Sequence, residues 1–152
     1  MVAAKPVILV VEDELLLRLT AVAIATEAGF QALSAATADE AISILEACAD
    51  VRLVFTDVQM PGSMDGLRLA HAIRDRWPPV ELIVTSGRAH IPADDLPALG
   101  RFFAKPYDVA ALSQAFREMA GRRLSSVRLT AASRRLLTRR SLARRNLLYA
   151  ST

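Results

Sequence analysis

Leu53-Val54-Phe55-Thr56-Asp57 decides how this chain is read. A run rich in β-formers ends in one carboxylate, and the loop Val58-Gln59-Met60-Pro61-Gly62 follows at once. A short apolar run bounded by turn residues predicts a buried strand. In an open α/β sheet, chemistry gathers outside the carboxyl ends of the strands. Asp57 therefore falls where a reactive group belongs. Taken alone, the stronger reading is that it opens a turn, a common use of Asp. The flanking sequence reverses that judgement.

Upstream, Val7-Ile8-Leu9-Val10-Val11 is another continuous β-rich run, ending in Glu12-Asp13-Glu14. Leu15, Leu16, Leu19, Val22, Ala23 and Thr26 then recur at a helical period, with Gly29 as a stop. Phe30 to Ala36 reads as a second, weaker strand. Thr37-Ala38-Asp39-Glu40 fits a capping box, and Ala41, Ile42, Leu45 and Cys48 make the stripe of the helix behind it. Val51 to Thr56 is the third strand. Downstream, Leu67, Leu69, Ala70 and Ile73 predict a helix to about Trp77, where Pro78-Pro79 stops it. Val80 to Thr85 is a fourth strand, followed by Ser86-Gly87-Arg88. His90 to Gly100 is a poor helix, broken by Pro92 and Pro97, with room for a short helix or turn. Arg101 to Ala104 gives a fifth strand before Lys105-Pro106-Tyr107. Asp108 is a good N-cap for a last helix from Val109 to about Gly121, with Leu112, Ala115, Phe116 and Met119 on one face.

Five alternating βα units predict a parallel sheet covered by helices on both faces. Right-handed crossovers put every loop that follows a strand on one side. The expected fold is α/β: a doubly wound, five-stranded parallel sheet of flavodoxin-like order 2-1-3-4-5.

Composition agrees with one domain and a full core: 152 residues, 53% hydrophobic but only 5% aromatic, so an aliphatic interior. The single cysteine, Cys48, permits no internal disulfide and reads as a small buried hydrophobe in a reducing compartment. Only five apolar residues follow Lys5-Pro6 before Glu12, so no signal peptide is expected. No apolar run approaches the ~18 to 20 residues that a membrane span needs, and a cytoplasmic location is expected. The net charge of +3 hides an asymmetry. Residues 1–121 hold all 16 acids against 10 basic residues, a charge of −6, whereas 122–152 carry nine Arg and no acid. We expect a domain over 1–121 and a basic Arg/Leu-rich tail over 122–152, disordered or partly helical.

The predicted topology brings polar residues to four strand ends on one side. Glu12 and Asp13 follow the first strand, Asp57 the third; Thr85 and Ser86 end the fourth and Lys105 the fifth. Strands one and three are neighbours at the switch point, so three carboxylates converge. Converging carboxylates repel unless one takes up a proton or a cation joins them. Oxygen-only ligands suit Mg²⁺. A lysine supplies a point charge for a developing phosphoryl group, and a Thr hydroxyl can bond a phosphoryl oxygen. Carboxylate nucleophile, metal and lysine together point to phosphoryl transfer onto Asp57.

From residue 5 to about 121, the chain resembles the receiver domain of two-component response regulators, of the stand-alone chemotaxis type. The resemblance rests on four stretches: Val7 through Glu14; Thr56-Asp57-Val58-Gln59-Met60-Pro61 with Asp65-Gly66-Leu67; Ile83-Val84-Thr85-Ser86-Gly87; and Lys105-Pro106-Tyr107. It implies Asp57 as phosphoacceptor, with Glu12, Asp13, Asp57 and the backbone carbonyl of Gln59 as Mg²⁺ ligands. It further implies Thr85 as the switch hydroxyl, Lys105 as the phosphate-contacting amine and Phe102 as a switching aromatic. The implied partners are a sensor histidine kinase or histidine phosphotransfer protein, and a downstream protein target; a homodimer is a further expectation. The implied protein is a signalling phosphoacceptor, not an enzyme beyond its own phosphorylation and dephosphorylation. The chain departs from the family in three places: Glu12 stands in place of Asp, the loop after Pro61 is one residue longer than in the chemotaxis receiver, and the fourth helix is degenerate. Phe102, lacking a hydroxyl, can switch only by packing.

Other residues receive structural readings. Glu14 is first-turn helix charge, Trp77 caps the edge of the third helix, and Gly62 and Gly66 are turn glycines. His71 and His90 have no expected partner or function. The tail reads as solvated chain. Its competing uses are nucleic-acid binding through phosphates, contact with an anionic membrane and folding back onto the acidic receiver. An Asp-nucleophile phosphatase is disfavoured, because Gln59 stands where a second Asp is required. A binding-only pseudo-receiver is disfavoured because the carboxylates and Lys105 are all present.

Overall fold

The computed structural model describes residues 4–88 and 90–126. Its elements are β1 (Val7–Val11), α1 (Leu15–Glu27), β2 (Gln31–Ala35), α2 (Ala38–Ala47), β3 (Val51–Asp57), α3 (Gly66–Arg76), β4 (Glu81–Ser86), a 3₁₀ turn (Ala93–Asp95), β5 (Arg101–Ala104) and α4 (Val109–Ser126). The five strands are all parallel, in the order β2-β1-β3-β4-β5 expected from the sequence. β1 pairs with β2 from Val7 opposite Gln31 and with β3 from Val7 opposite Val51.

Each strand alternates between two cores. Leu9, Val11, Val54, Leu82 and Val84 meet Ala41 and Leu45 of α2 and Leu69, Ala70 and Ile73 of α3. Ile8, Val10, Leu53, Phe55 and Ile83 meet Ala21, Ile24 and Ala25 of α1 and Leu112 and Phe116 of α4. The few aromatics are concentrated here: the Phe116 ring stands edge-on to Phe55 at 5.6 Å and to Phe30 at 6.1 Å, and Phe55 stands edge-on to Tyr107 at 5.9 Å. Such pairs add stability beyond the area they bury, about 0.5–1.5 kcal/mol each.

The helix ends follow their signals. Thr37 Oγ1 accepts from the Glu40 N–H at 3.2 Å, while Glu40 Oε2 accepts from the Ala36 N–H at 2.9 Å. Asp65 and Asp108 cap α3 and α4, accepting from Arg68 N and Ala110 N, each at 2.8 Å. α1 closes at Gly29, whose φ of +105° is left-handed; the Gly29 and Phe30 N–H groups bond back to Thr26 O and Ala25 O. This is the glycine-terminated Schellman arrangement.

Three expectations are corrected. The leucine stripe of α1 does not face the core: Leu15, Leu16 and Leu19 are 56%, 72% and 56% exposed, while Ala21, Ile24 and Ala25 are buried. Small alanines let the helix lie close to the sheet, and a helix apolar on every side carries no period that distinguishes its two faces. The last helix does not stop near Gly121 but runs to Ser126. Gly121 is not left-handed, so nothing there turns the backbone out of the helix. Residues 122–126 of the expected tail are therefore helical; the expectations for its remainder, residues 127–152, lie outside the described residues. Finally, His71 has a partner: its Nε2 lies 2.6 Å from the Asp95 carbonyl oxygen.

Among its described residues, the β4–β5 connection, residues 87–100, contains no α-helix, as Pro92 and Pro97 predicted. Ile91 and Leu96 lean on the core in its place. Among the described residues, no helix is long and apolar enough to cross a membrane.

Candidate functional site

The strand ends converge as the topology requires. Glu12 follows β1 directly, its N–H bonded to Ala35 O of β2 at 3.0 Å. Asp57 is the last residue of β3 and stands in register with Thr85 of β4. Val58 N–H bonds to Thr85 O at 2.9 Å, and Lys105 N–H to Ser86 O at 2.8 Å, tying the ends of β3, β4 and β5 together. The Lys105–Pro106 peptide is cis.

Glu12 and Asp57 are buried, at 3% and 4% exposure, and Asp13 is exposed. Each of the three offers a carboxylate oxygen, all within 4.8 Å of one another. Lys105 Nζ spans two of them, 3.0 Å from Glu12 Oε2 and 3.1 Å from Asp57 Oδ2. Gln59 N–H donates to Asp57 Oδ1 at 3.3 Å, and Glu14 N–H to Glu12 Oε1 at 3.2 Å. Arg18 Nη1 donates to the Glu12 carbonyl at 2.9 Å and braces the β1–α1 turn.

One ammonium against three carboxylates leaves the cluster with excess negative charge. Burial pushes the Glu12 carboxyl above its ordinary value, the Asp57 charge adds to this, and the Lys105 hydrogen bond opposes it without reversing it. Burial works to lower the Lys105 ammonium, but its bonds to Glu12 and Asp57 outweigh burial and hold it above the ordinary value. A hard divalent cation with oxygen ligands fits this donor set and relieves the repulsion. The Thr85 hydroxyl is buried and has no hydrogen-bond partner, which normally costs about 1–3 kcal/mol.

Glu12, Asp13, Asp57, Thr85 and Lys105 thus meet at one rim. Gln59 meets them through its backbone N–H; Phe102, half-buried on β5 opposite Val84, sits on the α2/α3 face of the sheet. Sequence reasoning undervalued Gly66. It is not merely a turn glycine: it opens α3, its N–H bonds to Val58 O at 2.9 Å, and an added Cβ would overlap the Asp57 carbonyl oxygen. The available signal was a glycine at the first position of a helix, where it weakens the helix unless close approach demands it. Gly62, with φ of +115°, is the turn glycine expected.

The family model for the response regulator receiver domain matches residues 8–117. Sensor kinase CckA of Brucella abortus (strain 2308) is 34% identical over 116 residues, which are 74% of this chain and 12% of that kinase. The chain thus spans only a small part of that relative's length. A response regulator receiver protein from Pseudomonas putida superposes with a TM-score of 0.68 at 31% identity, covering 77% of this chain and 99% of that one. The receiver domain of the hybrid histidine kinase CckA gives a TM-score of 0.62 at 29% identity, covering 75% of this chain and 98% of that one. The family model covers more than half of the chain, and the chain belongs to the response regulator receiver domain family of two-component signalling.

Proposed function

We propose that Asp57 accepts a phosphoryl group from a phosphohistidine on a sensor histidine kinase or histidine phosphotransfer protein. An Asp57 carboxylate oxygen bonds to phosphorus as the donor P–N bond breaks, and the freed imidazole nitrogen takes up a proton. The observation that carries this reading is the convergence of the Asp57, Glu12 and Asp13 carboxylates, with Lys105 bridging Glu12 and Asp57. Glu12, Asp13, Asp57 and the Gln59 carbonyl are the residues to hold Mg²⁺, which, when bound, supplies positive charge against the phosphoryl oxygens.

Lys105 keeps its charge, being held protonated by both buried carboxylates, and contacts the transferred group. The new group adds roughly −1.5 to −2 of charge at neutral pH. Thr85, buried and lacking a partner, turns to a phosphoryl oxygen. Movement of Thr85 opens space for Phe102 to repack, shifting the β4–β5 surface that a downstream protein, or a second copy of the chain, reads. In this reading the protein works in the cytoplasm as a phosphoacceptor, and its own chemistry is limited to self-phosphorylation and dephosphorylation.

Mass spectrometry after incubation with Mg²⁺ and acetyl phosphate tests the reading. The wild type gains one phosphoryl group, about 80 Da, and Asp57→Ala gains none. A gain in both places the acceptor elsewhere; a gain in neither removes acceptance from this small donor.

A further inference from the structure

We propose that Asp39 and Ser63 form a latch that positions the β3–α3 loop for metal binding. The inference rests on the preceding reading, in which the Gln59 carbonyl is a metal ligand. The stem of the loop is closed by main-chain bonds: Val58 N–H to Thr85 O and Gly66 N–H to Val58 O, both 2.9 Å. Its crown is different. Pro61, Gly62 and Ser63 are exposed, and Gly62 turns the chain with a positive φ. Between this crown and the start of α2 lies a small cavity, bounded by Thr37–Asp39 on one side and Pro61–Met64 on the other. A gap thus separates part of the crown from α2.

A side-chain hydrogen bond spans that gap. Ser63 Oγ lies 3.2 Å from Asp39 Oδ1 and 3.1 Å from Asp39 Oδ2, and donates its proton to the carboxylate. The acceptor stands on firm ground. Asp39 is in the first turn of α2, where the Thr37–Glu40 and Glu40–Ala36 bonds fix the helix end. With the stem held at Val58 and Gly66 and the crown held at Ser63, the arc that carries Gln59 has little freedom. Without the latch, residues 60–64 rest on the half-buried Met60 and Met64, through contacts that tolerate sliding. Gln59 also holds Asp57 through its N–H, so disorder in the arc reaches the carboxylate as well as the carbonyl. Asp39 and Ser63 are thus positioning residues, acting through Gln59.

Calorimetric titration of the full chain with Mg²⁺ tests this without any phosphoryl transfer. Ser63→Ala should weaken Mg²⁺ binding about 3- to 10-fold, the loss of one charge-assisted hydrogen bond at an exposed site. Ser63→Thr, which keeps the hydroxyl, should bind nearly as the wild type does. Asp39→Ala should match Ser63→Ala, and the double variant should be no worse than either, as coupled residues require. Unchanged affinity in Ser63→Ala overturns the latch, as do additive losses in the double variant. So does a lowered melting temperature with Mg²⁺ affinity intact, because that is what a merely structural contact gives. Asp13→Asn separates the two ideas. If it abolishes binding while Ser63→Ala leaves binding unchanged, the latch alone fails; if the wild type binds no Mg²⁺, the metal-site reading fails and the latch with it.

Discussion

Two connections leave adjacent strands at the same rim, and they are built differently. The β3–α3 loop returns to its helix within residues 58–65, closed by main-chain bonds at Val58 and Gly66 and crossed by Ser63–Asp39. The β4–β5 connection takes residues 87–100; its main-chain bonds are local turns (Asp95 N–H to Pro92 O, Leu96 N–H to Ala93 O, Gly100 N–H to Pro97 O), and among its described residues it meets the rest of the domain through Ile91, Leu96 and the His71–Asp95 contact. The first connection follows Asp57; the second follows β4, which holds the Thr85 hydroxyl that has no partner. On the proposed reading, an acceptor on the tightly bonded side, beside a connection with fewer bonds to the rest of the domain, is the arrangement in which a local charge change shifts one element and not the whole domain.

The comparison breaks most readily at Gly66. A methyl group there has no room against the Asp57 carbonyl, so Gly66→Ala must displace either α3 or the end of β3. We expect a loss of about 3 kcal/mol in urea unfolding. Retention of full stability would mean that the tight side is not tight.

Glu12→Gln sharpens the carboxylate side. Because burial and Asp57 raise the Glu12 carboxyl above its ordinary 4.5, the folded chain disfavours its ionised form. The wild type's relative stability is full below 4.5 and lost as pH rises through the raised native value. The metal-free variant should therefore exceed the wild type in stability at neutral pH. The advantage should vanish in acid. Unfolding curves at several pH values check this, and an advantage that grows toward low pH would contradict it.

The smallest effect is expected on the loose side. His71→Ala removes an exposed contact to a single carbonyl and should cost about 0.5–1 kcal/mol in the same unfolding assay. A cost equal to that of Gly66→Ala would erase the contrast.

The legible parts of this molecule were those fixed locally. Strand runs, the capping box at Thr37, the cap at Asp108 and the proline-broken connection all declare themselves within a few residues, and the βα alternation declares a parallel sheet with helices on both faces. The carboxylates and Lys105 were legible because topology alone brings strand ends to one rim. What escaped was set by distance or by symmetry. The close approach at Gly66 is a tertiary contact, and His71–Asp95 and Ser63–Asp39 each join residues 24 positions apart. The orientation of α1 escaped for the other reason: its apolar residues continue round the helix, and the alanines won the core because they let the helix come closer. The length of α4 escaped because Gly121 carries no turn.

β1 lies inside the sheet, between β2 and β3, and its pairing begins at Gln31 on one side and Val51 on the other. During synthesis this five-residue apolar strand is made before either neighbour: its β2 edge stays open until Gln31–Ala35 has been made, and its β3 edge until the chain has grown past Asp57. Hairpins cannot shield it, because every partner is parallel and must return through a crossover. At about 5–20 residues per second, that leaves seconds in which the most buried strand of the finished protein is its most adhesive segment.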